Sequence, residues 1–243
     1  MSTTRPRPPS WWTTAGEVTA GVEAVRLAAS APRLARLPRG DGSPVVLVPG
    51  LAATDASMTP LRTFLRRHGH DARPAGLGRM VADVDGLTPR LLDLIESIRD
   101  ETGRPEVNLV GWSLGGVISR AAARRRRSWI GRIVTFGTPV LGGPGSTAMA
   151  SRFSAEQLRF IDAVVEQRNR IDVEVPITAI WSRRDGIVAG EACIDHRSPD
   201  VENIEVRSTH LGMGIDPDVW AIVARRLAAG APTTRGRSSS SRR

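Results

Sequence analysis

Lysine is absent from this 243-residue chain, so all 34 of its basic side chains are arginine. So complete a bias reads as genome-wide codon usage, which weakens the formal net charge of +9 as a sign of nucleic acid. The arginines are scattered apart from Arg124–Arg127 and the carboxyl-terminal tail, and no RNA- or DNA-binding motif accompanies them. Nucleic acid is therefore not expected as a partner. Cysteine is scarce too: Cys193 alone excludes an intrachain disulfide and agrees with a reducing compartment. No apolar run approaches the roughly 20 residues that span a bilayer. Residues 1–12 lack the continuous apolar stretch of a signal peptide. The expectation is a cytoplasmic protein. Histidines, cysteines and carboxylates nowhere cluster at ligand spacing, so neither a metal nor an organic cofactor is expected.

What is present suffices for one globular domain with a substantial core, at 40% hydrophobic residues. Residues 1–12, rich in Pro, Arg and Ser, are expected to form a disordered arm, and the basic residues 231–243 a disordered tail. Thr14 and Glu17 have capping-box spacing for a helix that reaches about Ser30 and stops before Pro32. Its apolar face of Val18, Val22 and Val25 is narrow, which favours packing on the edge of the domain. With Trp11, Trp12 and nearby arginines it leaves weak peripheral membrane contact as a second reading. Residues 13–37 are thus a leading helix and link, and the main domain runs over 38–230.

In that domain Val45–Val48 reads as a core strand that runs into Pro49-Gly50-Leu51. A helix from about Ser57 buries Leu61, Phe64 and Leu65 and ends at Gly69. Residues 72–76 form a short strand interrupted by Pro74. Thr88 is expected to cap the next helix, with Pro89 at its first position, Leu91, Ile95 and Ile98 buried, and Gly103 beyond its end. Further strands are expected at 107–110, Ile133–Phe136, Ile177–Trp181 and Ile204–Val206. Between the second and third of these, residues 139–150 read as a Gly-rich mobile loop. Ser154 and Gln157 then open a helix to about Ile171. Asp216-Pro217 starts the last helix, whose apolar face carries Val219, Trp220, Val223 and Leu227. Strands alternating with amphipathic helices imply an α/β fold: a doubly wound, mostly parallel sheet with helices on both faces. In such sheets chemistry collects beyond the carboxyl ends of the strands.

Three segments carry reactive groups at such ends. After the strand ending at Val110, Gly111-Trp112-Ser113-Leu114-Gly115 turns sharply into a small-residue helix. A serine between glycines on a strand-to-helix turn is the nucleophile elbow, and the helix start aims its free N–H groups at a developing oxyanion. Asp185 follows the strand ending at Trp181, and His210 follows the strand at 204–206. A serine hydroxyl needs a neutral imidazole to take its proton, and a carboxylate to hold the imidazole tautomer. The order Ser113, Asp185, His210 suits that chemistry. The rival histidines His68, His70 and His196 follow no expected strand.

On these residues the chain resembles the α/β-hydrolase superfamily, and more narrowly its small bacterial esterases and lipases. The resemblance covers about residues 44–228, through Val45–Leu51, Gly111–Gly116, Phe136–Pro139, Ser182–Val188 and Ser208–Gly212. It implies a Ser113–His210–Asp185 triad and an oxyanion hole made by the backbone N–H groups of Leu51 and Leu114. In that family His-Gly precedes the oxyanion residue; here Pro49-Gly50 stands there, which leaves backbone donors intact. The leading helix in place of the larger members' extra strands implies about six strands. It also implies a small helical cap inserted at about 139–174. The cap's Met149, Phe153, Leu158, Ile161 and Val164, with Trp112 at the elbow, suit an apolar ester substrate, although packing beneath the turn is the preferred role of Trp112. The implied activity is hydrolysis of carboxylic esters through an acyl-enzyme. Acyltransferase or thioesterase chemistry on the same triad, or a non-catalytic binding protein on this fold, are the alternatives.

Overall fold

The computed structural model describes residues 6–9 and 20–229. The expected capping box at Thr14 and Glu17, most of the amino-terminal arm and the carboxyl-terminal tail lie outside the described residues. The main chain forms helices α1 (Ala20–Ala29) and α2 (Ala31–Ala35), then strand β1 (Pro44–Val48). Helix α3 (Thr59–Arg67), strand β2 (Asp71–Pro74) and helix α4 (Val84–Thr102) follow. The elbow joins β3 (Val107–Trp112) to α5 (Leu114–Arg125), which leads to β4 (Ile130–Phe136). A long connection containing α6 (Ala155–Asn169) reaches β5 (Ile177–Trp181), then β6 (Val201–Glu205) and α7 (Pro217–Ala228).

The six strands form one sheet in the order β2-β1-β3-β4-β5-β6, and every pairing is parallel. Alternation along β1 shows how the sheet divides the core, since side chains on a strand point to opposite faces. Val45 and Leu47 join α2, α3 and α7 through Leu34, Leu61, Leu65, Val219 and Trp220. Val46 and Val48 join α4 and α5 through Leu91, Ile95, Ile98 and Ile118. All of β1 is buried, as a central strand covered on both faces must be. Strand order reverses between β1 and β3, and the crevice outside their carboxyl ends is where such sheets bind ligands.

Several sequence expectations need correction. Helix α4 begins at Val84, because the Asp83 side chain accepts the Gly86 N–H at 2.9 Å and caps it a turn early. Thr88 is buried inside the helix with its hydroxyl bonded to the Val84 carbonyl, and Pro89 lies in the interior. The carbonyl that Pro89 deprives of a donor belongs to exposed Asp85, where water can serve it. Strand β6 starts earlier than expected and stops before Val206; as an edge strand it exposes Glu202 and Asn203, so it lacks the apolar run of a buried strand. Helix α6 ends at Asn169, short of Ile171, while its capping box of Ser154 and Gln157 forms as expected.

Helix α1 packs on the domain by a different face from the valine stripe. Val22 and Val25 are 60% and 71% exposed, while Glu23 is buried. Leu27 packs on the core, and the polar part of the contact is ionic: Arg26 bridges Glu23, Asp216 at 3.1 Å and Asp218 at 3.0 Å, beside the start of α7. Residues 139–150 are not a free loop. Ala148 donates to the Ile187 carbonyl at 2.8 Å, Ala189 donates to the Ser146 carbonyl at 2.8 Å, and Thr147 bridges Val188. Glycine made the stretch look pliant; these backbone bonds to a distant segment hold it. Among the described residues, no helix is long and apolar enough to cross a membrane.

Candidate active site

Ser113 stands between the end of β3 and the first residue of α5 with φ 53° and ψ −119°, a conformation that side-chain-bearing residues rarely adopt. Its surroundings over-determine it. The Ser113 N–H donates to the Phe136 carbonyl at 2.9 Å, and its carbonyl accepts from Gly116 N–H and Thr138 Oγ1, each at 3.0 Å. The flanking glycines are required by close approach. A Cβ on Gly115 would lie 2.1 Å from the Val48 carbonyl oxygen, and one on Gly111 would lie 2.4 Å from Gly116 Cα. The elbow can form only with hydrogen at both positions.

Asp185 and His210 meet across 25 residues of sequence: His210 Nδ1 lies 2.7 Å from Asp185 Oδ2, and both residues are 3% exposed. The other carboxylate oxygen, Oδ1, accepts the N–H groups of Ile187 at 2.9 Å and Val188 at 2.7 Å. Two backbone donors therefore fix the carboxylate, and the carboxylate fixes the ring. Burial and the nearby Asp185 charge push the Cys193 thiol well up, so it is an unreactive thiol beside the acid.

The β4 terminus brings these parts together. Phe136 holds the Ser113 amide, and a Cβ on Gly137 would lie 2.8 Å from the His210 ring and 3.3 Å from Asp185 Oδ2. Trp112, immediately before Ser113, stacks on Phe136 and has its ring centroid 6.0 Å from that of His210. Its contacts are those of a packing residue beneath the turn. Beyond β1, Gly50 faces Ser113, with a hypothetical Cβ 3.3 Å from the serine Cβ. Leu51 follows at the surface, 38% exposed. The loop is held by Ala52 N–H to the Met80 carbonyl and Met80 N–H to the Ala53 carbonyl, both at 2.9 Å. Among the described residues the Leu51 N–H has no acceptor. Leu114, as the first residue of α5, presents an N–H from the unpaired first turn.

Met149, Phe153, Leu158 and Ile161 are all half-buried, and Ile161 and Val165 press on the turn at Gly143. The position of Gly137 and Thr138, between serine, histidine and acid, was visible in sequence only as a strand-closing turn. Among the described residues, no group of three or more His, Cys, Asp or Glu side chains converges as a ligand set.

Comparison with known proteins bears on the family and the fold. Residues 43–183 match the family described as the alpha/beta hydrolase fold. A triacylglycerol lipase of Pseudarthrobacter phenanthrenivorans is 34% identical over 107 residues, covering 41% of this chain and 34% of the relative. A triacylglycerol lipase of Burkholderia plantarii is also 34% identical, over 41% of this chain and 30% of its own length. The match thus spans about a third of these curated relatives. Among solved structures, one from a study of two metagenome-derived lipolytic enzymes superposes with a TM-score of 0.61 at 17% identity, covering 79% of this chain and 94% of that one. A Bacillus licheniformis lipase superposes with a TM-score of 0.58 at 16% identity, covering 79% and 94%. At such identities these two show a shared fold.

Proposed function

Because this chain belongs to the α/β-hydrolase family, we propose that it is a serine hydrolase that cleaves apolar carboxylic esters through an acyl-enzyme. The observation that carries this reading is the buried His210–Asp185 hydrogen bond beside a serine held at positive φ on a strand-to-helix turn. The lipase names of the curated relatives support the substrate class.

In this reading His210 Nε2 takes the Ser113 proton as Oγ attacks the ester carbonyl. Asp185, its Oδ1 occupied by two backbone N–H groups, offers Oδ2 to Nδ1–H and so keeps the ring in the tautomer whose Nε2 is free to accept. The oxyanion of the tetrahedral intermediate is stabilised by the N–H groups of Leu51 and Leu114, which the loop contacts of Ala52 and the helix start hold in place before reaction. The imidazolium then protonates the departing alkoxide. Water, deprotonated by the same histidine, attacks the acyl-enzyme and releases the acid. The connection between β4 and β5 acts as a cap, and its Met149, Phe153, Leu158 and Ile161 receive the acyl chain.

Labelling with a fluorophosphonate probe, followed by peptide mapping, tests the nucleophile. One adduct on Ser113 is expected. Ser113→Ala should abolish it and lower kcat on p-nitrophenyl esters by several orders of magnitude, with melting little changed. Near-wild-type turnover by this variant would overturn the proposal.

A further inference from the structure

Among the described residues, two that carry side chains have a positive φ: the nucleophile Ser113, and Ala52 at φ 62°. Ala52 follows Leu51 in the loop beyond β1. The Ala53 N–H donates to the Gly50 carbonyl at 3.2 Å, which closes a β-turn with Leu51 and Ala52 at its centre. Because Leu51 is not at positive φ, the turn is of type II, whose second central position favours glycine. Alanine is strained there. Such strain persists only where the surroundings over-determine it, and here it lies one residue from a proposed oxyanion donor.

The segment after β2 supplies those surroundings. Leu77 and Met80 anchor it in the core, and Asp55 fixes its start by accepting the N–H groups of Ala75 at 2.9 Å and Gly76 at 3.0 Å. From this base the Met80 carbonyl accepts the Ala52 N–H at 2.9 Å, and Arg79 Nη1 donates to the Ala52 carbonyl at 3.0 Å. Ala52 is thus gripped on both sides of its Cα. Relaxation to a negative φ would convert the turn to type I and rotate the Leu51–Ala52 peptide by roughly half a turn. The Ala52 N–H would then leave Met80, and Leu51 would be re-aimed.

We propose that Arg79 is a positioning residue for the oxyanion hole. On the serine-hydrolase reading, its hold on the Ala52 carbonyl keeps the strained turn that presents the Leu51 N–H to the tetrahedral intermediate. Arg79 acts through Ala52 and touches no reacting atom. Without its guanidinium most molecules relax the turn and stabilise the oxyanion with one donor instead of two. A population left about one-tenth in the working form loses about tenfold in rate. The loss falls on the transition state, so kcat drops while KM stays.

Arg79→Ala, Ala52→Gly and the double variant, made in the full chain, test this role. The substrates are p-nitrophenyl esters; the second probe is an alkyl boronic acid, which Ser113 would hold as a tetrahedral adduct. Arg79→Ala should lower kcat about tenfold with KM little changed, short of the roughly 100- to 1000-fold cost of losing one oxyanion donor outright. Affinity for the boronic acid should fall by a similar factor. Arg79→Lys, which can still donate, should recover most of both losses. Glycine is unstrained at positive φ, so in the Ala52→Gly background Arg79→Ala should cost less than about twofold. Arg39→Ala, which releases the Arg67 carbonyl held at 3.2 Å, should leave kcat intact. Full kcat in Arg79→Ala would overturn the proposal, as would a loss carried by KM. An equal loss with alanine and with glycine at position 52 would also overturn it. If Arg79→Ala does not fold, Arg79→Met, which keeps the stem and removes the donors, takes its place in the cycle. A wild-type chain that neither turns over the esters nor binds the boronic acid overturns the hydrolase reading, and this role with it.

Discussion

Adding one methyl group at Gly137 should separate the catalytic geometry from the stability of the fold. Gly137 has φ +58°, and its amide is pinned to the Ile180 carbonyl at 3.1 Å, so the backbone has little freedom to retreat. The new Cβ would lie 2.8 Å from His210 Cε1 and Nδ1, where about 3.5 Å is the closest comfortable contact. The ring must therefore move by roughly 0.7 Å. It is the movable partner, but moving it stretches the 2.7 Å bond to Asp185 and shifts Nε2 relative to Ser113. A misplacement approaching 1 Å costs about 100-fold in rate, so Gly137→Ala should lower kcat by about 10- to 100-fold with KM little changed. The positive φ adds a backbone penalty of about 1–2 kcal/mol, or roughly 2–8 °C in Tm for a domain of this size. Gly103 supplies the control, since it has φ +65° with no atom within 4 Å of its would-be Cβ. Gly103→Ala should show the same thermal loss with kcat intact. Ester hydrolysis and melting curves on both variants suffice. Full kcat in Gly137→Ala, or equal kcat losses in the two, would refute the reasoning.

Asp185→Asn should keep the fold, because the amide oxygen can still accept from Ile187 and Val188; its NH₂ then faces His210 Nδ1, imposes the wrong tautomer and lowers kcat by about 10⁴-fold in steady-state assays. Asp195→Asn leaves Arg120 buried without its counter-charge and should cost about 3–5 kcal/mol in urea unfolding at neutral pH. Burial alone would raise the Asp195 carboxyl, but Arg120 and the hydrogen bonds from Ser198 and the Arg197 amide outweigh it and hold it below the usual carboxylate range. A depressed carboxylate stabilises the fold fully above its unfolded value near 3.9 and loses that contribution as pH falls through the folded value. The gap between wild type and Asp195→Asn should accordingly stay constant from pH 8 to 5 and close only in strong acid. Leu158→Ser combined with Ile161→Ser should reduce kcat/KM more for medium-chain than for acetate esters, since each buried methylene contributes about 0.8 kcal/mol; an equal loss for both would mark those residues as packing alone.

The alternation of apolar strands with amphipathic helices, and the glycines around Ser113, were enough to specify a parallel sheet and the place of the elbow. Those features are local: a strand of Val45–Val48 character is stable only when covered on both faces, and a serine at positive φ needs small neighbours. The order of reactive residues after successive strands pointed to Asp185 and His210 for the same reason, because a parallel sheet delivers every strand end to one side. Long-range pairing decided the rest. The glycines of 139–150 suggested freedom, whereas Ala148 and Thr147 are tied to Ile187 and Val188, partners no local pattern announces. Val22 and Val25 formed the visible stripe of α1, yet the helix docks through Arg26 on Asp216 and Asp218, about 190 residues away. Arg124 stood in the basic run Arg124–Arg127 and Arg120 among the scattered arginines; only the packing of Asp195, Asn169 and Ile171 around them buried Arg120 and half-buried Arg124. Periodicity records which face of an element is buried, while the identity of what covers that face depends on contacts between segments far apart in the chain.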